Sequence, residues 1–315
     1  MKYKVFVDGQ EGTTGLKINE RLSNRTDLEI LKIDPEKRKD TETRRTLLNE
    51  ADIAFLCLPD VASREAVTLV SNTRTKILDA STAFRTDPTW AYGLPELSKA
   101  QRELIRTSSR IAVPGCFATG FNMALYPLTH NDIVPRDYPV TCHSISGYSG
   151  GGKRLIEQYE NPKDNEKLTS PRFYALGLKH KHLPEMQKIT GLAYSPLFTP
   201  VVANYCQGMI VAIPLVQRFL NKKMTAKEIH EFISGYYAAE HFVEVMPFTP
   251  EYPADNGYFN AMECNSTNKI ELFVFGEDEQ ILLLARLDNL GKGASGAAIQ
   301  NMNILLGLDE GLGIE

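Results

Sequence analysis

The chain has 315 residues, of which 43% are hydrophobic and 23% charged. That length exceeds what one hydrophobic core usually organises, so two domains are expected in an ordinary globular protein. A formal net charge of −4 gives no electrostatic reason to expect nucleic acid or an anionic membrane surface as partner, and no apolar run is long enough to span a bilayer.

Residues 2–8 read as a short strand, too short and too quickly polar for the apolar region of a signal peptide. Gly9-Gln10-Glu11-Gly12-Thr13-Thr14-Gly15 follows at once, and a helix is expected over Gly15–Leu22. Glycines at a strand-to-helix junction let backbone amides approach a phosphate, with the helix N-terminus adding partial positive charge. The spacing is G-x-x-G-x-x-G rather than the commoner G-x-G-x-x-G, so the context carries the signal, and a tight turn without a ligand is the alternative. Gly9, Gly12, Thr13, Thr14 and Gly15 are the candidate cofactor contacts. Residues 28–34 alternate with period two and predict a second strand. At its end Asp34 stands where an acid would hold a ribose 2′-OH, whereas Lys37, Arg38 and Lys39 would favour a 2′-phosphate. The balance favours NADP over NAD, with Arg38 as the phosphate contact, although a solvated charged turn would look the same. The apolar run 53–58, then 76–79 and 110–113, predict further strands, and strands alternating with helices predict a parallel doubly wound sheet.

Pro114-Gly115-Cys116-Phe117-Ala118-Thr119-Gly120 is the sharpest local signal. A strand ends, Pro and Gly turn the chain, and Cys116 opens a helix expected over 117–125. A thiol at a helix N-terminus has its thiolate stabilised by the dipole, which makes Cys116 a candidate nucleophile. The other cysteines, Cys57, Cys142, Cys206 and Cys264, lie in apolar or strand-like runs and are expected to be buried free thiols. Scattered cysteines without a CxxC pair argue against a disulfide scaffold or a zinc site and suit a reducing cytoplasm.

Beyond about residue 135 the pattern changes. Strands are expected over 138–145, 208–213, 269–275 and 280–285, the last two joined by the hairpin turn 276–279, so this half reads as a more antiparallel α+β domain. Residues 160–167 read as a polar surface loop, and 294–306 as a final helix stopped by Gly307. On an extended segment His180 and His182, two apart, would face the same way and could serve one pocket, one of them as general acid or base. A metal site is the rival reading, but no third ligand is evident nearby, so no metal is expected. Ser146 to Lys153 offers hydroxyls, amides and a lysine to an anion, and 288–296 could close over a cofactor; either segment could equally be a capping turn.

Together these segments resemble the N-acetyl-γ-glutamyl-phosphate reductases, specifically their shorter variant. The resemblance covers essentially the whole chain: Gly9–Gly15, Leu78–Arg85, Tyr92–Glu96, Pro114–Gly120, Ser146–Gly151, His180–Glu185 and Asn289–Asn301. It implies a fold like that of glyceraldehyde-3-phosphate dehydrogenase. Residues 1–116 and 290–315 would form an N-terminal Rossmann NADP-binding domain, and 117–289 an α+β substrate, catalytic and dimerisation domain. It also implies NADPH-dependent reduction of an acyl phosphate to an aldehyde through a Cys116 thioester, in arginine biosynthesis, with His180 favoured over His182 as proton donor. Arg85, Ser146, Ser149 and Gly150 match positions near the substrate's carboxylate or phosphate, and Asn289 and Lys292 the segment near the nicotinamide. The expected partner is a small-molecule substrate, with a homo-oligomer (dimer or tetramer), no nucleic acid and no membrane. The chain departs from the longer form at Gln10-Glu11 and at Gln207, where the longer form tends to carry Arg. Another semialdehyde dehydrogenase, such as one acting on aspartyl phosphate, and a non-catalytic NADP-binding regulator are the other readings. A cysteine hydrolase would leave the glycine loop unexplained.

Overall fold

The computed structural model describes residues 2–10, 12–161, 166–249 and 255–314; Glu11 of the glycine loop and 162–165 of the expected polar loop lie outside them. The chain divides into two compact units, Met1–Gly115 with Ala294–Glu315, and Cys116–Gly293.

The first unit runs β1 (Tyr3–Asp8), α1 (Thr13–Ser23), β2 (Leu28–Leu31), α2 (Thr41–Glu50), β3 (Ile53–Leu56), α3 (Asp60–Leu69), β4 (Lys76–Asp79), β5 (Ala91–Tyr92), α4 (Lys99–Thr107) and β6 (Arg110–Ala112). The strands form a six-stranded sheet in the order β2-β1-β3-β4-β6-β5, and every pairing is parallel. All four residues of β3 are buried, as a strand covered on both faces requires. Phe6, Leu48, Ala54, Leu56, Ala66 and Ile77 knit the strands to α2 and α3 in one core.

The second unit runs α5 (Cys116–His130), β7 (Thr141–Gly147), α6 (Lys153–Glu160), α7 (Glu166–Thr169), β8 (Arg172–Phe173), α8 (Leu183–Thr190), β9 (Leu197–Ala203), β10 (Met209–Val216), α9 (Ala226–Tyr237), β11 (Val243–Val245), β12 (Ile270–Gly276) and β13 (Gln280–Leu287). Its sheet has seven strands in the order β11-β12-β13-β10-β7-β9-β8. It is mixed rather than simply antiparallel, because β7–β9 and β11–β12 pair in parallel. The expected hairpin is the β12–β13 pair, with Gly276 at φ +100°, where a Cβ would lie 2.2 Å from the Gln280 carbonyl. Helix α5 is buried almost all round and lies on β10: a Cβ on Gly120 would come within 2.7 Å of Val211. It continues through Pro127 to His130, well past the expected end. Strand β7 begins at Thr141, not 138, consistent with Pro139 having no N–H for a ladder.

The last helix, α10 (Gly296–Leu306), belongs to the first unit. Most of its residues are apolar, and its polar ones bond through their amides: Asn301 Nδ2 donates to the Gly93 carbonyl (2.9 Å) and Gln300 Nε2 to Glu96 (2.8 Å), while Asn301 Oδ1 is buried with no hydrogen-bond partner among the described residues. Gly307 ends it in the left-handed conformation, φ +67°.

Candidate active site

In the first unit the glycine loop is shaped by close backbone approach. Gly9 has φ +90°, and a Cβ there would lie 2.3 Å from the Cys57 carbonyl oxygen; a Cβ on Gly15 would lie 2.4 Å from the Gly9 carbonyl oxygen. Helix α1 begins at Thr13 with Gly12 as its cap, no side chain capping it and no acid in its first turn. The amides of Thr13, Thr14 and Gly15 therefore sit at the positive end of α1 with no side-chain acceptor among the described residues, which is what a pyrophosphate requires. The residues present fit a dinucleotide. After β2, Asp34 accepts the Glu36 N–H (2.9 Å) and exposed Arg38 donates Nε to the Pro35 carbonyl (2.8 Å), so the charged turn is a locally held feature with its cations outermost. Arg85 is nearly buried and spends Nε on the Val113 carbonyl (2.9 Å) and Nη2 on the Ala80 carbonyl (3.1 Å).

One buried pair had no sequence signal. Arg44 on α2 donates Nε and Nη2 to Asp8 Oδ2 at 3.0 and 2.9 Å, immediately before the glycine loop. Burial is the main influence on the Asp8 carboxyl and raises it above the usual range, against the pull of Arg44.

In the second unit Cys116 is the first residue of α5 and half-buried, where the helix dipole favours a thiolate. Gly293 is pressed against it: a Cβ there would lie 2.7 Å from the Cys116 Cβ. The ring of Phe117, next in the chain, lies 5.9 Å from that of His180 and 6.0 Å from that of His182. The two histidine rings are 4.7 Å apart, edge to face. They meet through a turn and not through an extended segment: 181–182 turn, and His182 caps α8. The His182 backbone N–H donates to His180 Nδ1 at 3.2 Å, which leaves the ring proton of neutral His180 on Nε2. Burial first, and the charge of Lys181 second, lower His180 to about 4, so it is neutral near pH 7. Tyr174 faces His180 with rings 5.7 Å apart. Tyr174 is 37% exposed, and desolvation first, then the charge of Cys116, push its phenol up.

The serines converge on the same unit. Ser146 and Ser149 are buried at the end of β7 and in the short turn after it. Asn289 Nδ2 donates to Ser149 Oγ (2.9 Å), and Asn289 Oδ1 accepts the Gly208 N–H (2.8 Å). A Cβ on Gly150 would lie 3.5 Å from Asn289 Nδ2 and 3.6 Å from Ser146 Oγ, so the four residues form one polar nest. Asn289, expected beside the cofactor, is thus built into the serine loop. Lys292, expected in the same segment, is fully buried, with Nζ 5.6 Å from the Phe242 ring centre. Cys206 also departs from expectation, being exposed, while Cys142 and Cys264 are buried. Tyr174 and Gly293 were missed; Gly293 stood within a noted motif, but nothing local tied it to Cys116.

Among the described residues no group of three or more His, Cys, Asp or Glu could hold a metal ion, and no helix is long and apolar enough to cross a membrane. Residues 5–105 match the family model described as "Semialdehyde dehydrogenase, NAD binding domain", and 116–289 match "Semialdehyde dehydrogenase, dimerisation domain". The chain is 48% identical to N-acetyl-gamma-glutamyl-phosphate reductase 2 of Nostoc sp. over 99% of both chains. It is 47% identical to the N-acetyl-gamma-glutamyl-phosphate reductase of Sinorhizobium medicae over 97% of this chain and 99% of that one. Among solved structures, aspartate semialdehyde dehydrogenase II of Vibrio cholerae aligns with TM-score 0.73 over 97% of this chain and 98% of that one. At 15% identity that likeness speaks to the fold alone.

Proposed function

The chain belongs to the semialdehyde dehydrogenase family, among its N-acetyl-γ-glutamyl-phosphate reductases, and on that premise we propose how it works. The reaction is the NADPH-dependent reduction of N-acetyl-γ-glutamyl phosphate to N-acetylglutamate 5-semialdehyde and phosphate, a step of arginine biosynthesis. The observation that carries the mechanism is Cys116 at the head of α5, with Gly293 against it and the two histidines gathered around Phe117.

The Cys116 thiolate attacks the acyl carbon; the C–S bond forms as the C–O bond to phosphate breaks and inorganic phosphate leaves. Ser146, Ser149, Gly150 and Arg85 are the contacts proposed for the substrate's oxyanions. Gly9, Gly12, Thr13, Thr14 and Gly15 would hold the NADP pyrophosphate and Arg38 its 2′-phosphate; bound there, NADPH supplies a hydride. After reduction the residues around Cys116 must stabilise a tetrahedral oxyanion. His180, neutral and protonated on Nε2, is the proposed donor, oriented by the His182 backbone; one such donor is worth about 10²–10³ in rate. Breaking the C–S bond then frees the aldehyde and restores the thiolate. Asn289, bonded into the serine loop, and buried Lys292 belong to the segment proposed to lie near the nicotinamide. The reading includes a homo-oligomer, dimer or tetramer, in keeping with the dimerisation-domain match, and a cytoplasmic enzyme, in keeping with five free thiols.

The test is NADP reduction in the reverse direction, with N-acetylglutamate semialdehyde and phosphate, for wild type and Cys116→Ala. The expected result is an active wild type and a variant slower by several orders of magnitude. A wild type active only with aspartate semialdehyde would correct the substrate. An equally active variant would remove the thioester.

A further inference from the structure

We infer that Arg172 binds the α-carboxylate of the substrate and so sets the demand for an anionic tail; this rests on the reaction proposed above. The placement follows from sheet register. Arg172 on β8 is paired with Val202 on β9, and Val202 with Ser146 on β7. Residues in one row across a sheet project from the same face, so Arg172 and Ser146 share a face two strands, or about 10 Å, apart. The next row, Phe173, Val201 and Ile145, faces the other way, and Phe173 is accordingly 62% exposed. Tyr174, the next residue, has its ring 5.7 Å from that of His180, which in turn lies 5.9 Å from the ring of Phe117, the neighbour of Cys116. A substrate whose acyl carbon lies at Cys116 and whose phosphate lies in the serine nest thus has Arg172 across from it on the same face.

The guanidinium is held ready. Arg172 Nη2 donates to the Tyr159 hydroxyl at 2.9 Å, and its Cζ lies 5.3 Å from the Tyr159 ring centre. That ring stacks at 4.6 Å on Tyr148, a residue of the serine loop itself. The Arg172 Nε is buried with no hydrogen-bond partner, and no carboxylate pairs with the side chain among the described residues. Arg25, Arg44 and Arg286, by contrast, each meet an acid. A half-buried guanidinium without a counter-charge has lost hydration that nothing in the chain replaces, and a bidentate carboxylate would restore it. Position 207 offers no charge for the carboxylate, and the Gln207 amide donates to buried Asp288.

The experiment compares N-acetylglutamate semialdehyde with 4-acetamidobutanal, the same aldehyde lacking the carboxylate. NADP reduction is followed with wild type, Arg172→Gln and Arg172→Lys, and thermal melting of each is recorded. The wild type should prefer the carboxylated aldehyde. In Arg172→Gln the preference, as a ratio of kcat/KM values, should fall about 10- to 100-fold, mostly through KM. Arg172→Lys, which keeps charge but loses the fork, should fall in between, and it carries the test alone if the Gln variant does not fold. A folded variant that keeps the wild-type preference, or that slows both aldehydes equally, overturns the inference and leaves Arg172 as a brace for Tyr159. A wild type inactive with N-acetylglutamate semialdehyde overturns the reaction itself, and this inference with it.

Discussion

Gly293→Ala tests whether Cys116, the proposed nucleophile, is positioned by backbone packing rather than by its helix alone. The added methyl would meet the Cys116 Cβ at 2.7 Å, the Cys116 Cα at 3.2 Å and the Asp288 carbonyl oxygen at 3.2 Å. Comfortable carbon–carbon contact lies at ~3.5–4.0 Å, so the two segments must part by about 1 Å. None of these neighbours is the flexible end of a side chain; two belong to the first residue of α5 and one to the main chain. Gly293 does not have a positive φ, so the backbone itself accepts alanine and the perturbation is steric. Overpacking of this kind costs ~1–3 kcal/mol of stability. Displacing a reacting atom by about 1 Å costs ~10²-fold in rate. The expected variant is therefore folded, melts a few degrees lower, and has kcat reduced about 100-fold in the reverse assay with saturating aldehyde, phosphate and NADP. A well-folded Gly293→Ala enzyme with kcat within about threefold of wild type would refute this reasoning.

Three other outcomes follow from the same structure. His180 is lowered to about 4 from 6.5, so the folded protein binds fewer protons there than the unfolded chain; urea titrations should show stability falling from about pH 6.5 towards pH 4, and His180→Asn should flatten that component. Burial pushes the thiols of Cys142 and Cys264 up to about 12, so iodoacetamide at pH 8 should label exposed Cys206 and half-buried Cys116 in the folded protein and spare those two; peptide mass spectrometry finding Cys142 labelled at a comparable rate would contradict this. Arg44→Met strands the Asp8 carboxylate beside the glycine loop and should cost about 3–5 kcal/mol by chemical denaturation. Adding Asp8→Asn should recover most of that loss, and a double variant as unstable as the single one would show that Arg44 acts by packing.

Periodicity and local chemistry carried much of this protein. The apolar run from Ile53, the alternation from Leu28 and the glycines after β1 were each legible because the forces that shape them act within a few residues. The same holds for Cys116, since a strand, a turn and a helix start in sequence place a thiol at a dipole with no help from distant chain. Segments whose partners lie far away were less legible. Short β5, β8 and β11 have two or three residues each and exist as strands only because a neighbour offers a ladder. Residues 180–182 read as extended but turn, because His182 caps α8 and its amide serves His180.

By itself, then, the sequence determined the parallel α/β architecture of the first unit, and it placed the glycine loop after β1 and Cys116 at the head of α5, all products of local spacing. Only tertiary structure decided what surrounds them. Lys292 became a buried brace on Phe242, Asn289 joined the serine loop, Gly293 closed on Cys116 from 177 residues along the chain, and Arg172 reached the row of Ser146. Each depends on which strands pair and in what register, and register is set by burial summed over a whole sheet, a quantity no short window of residues contains.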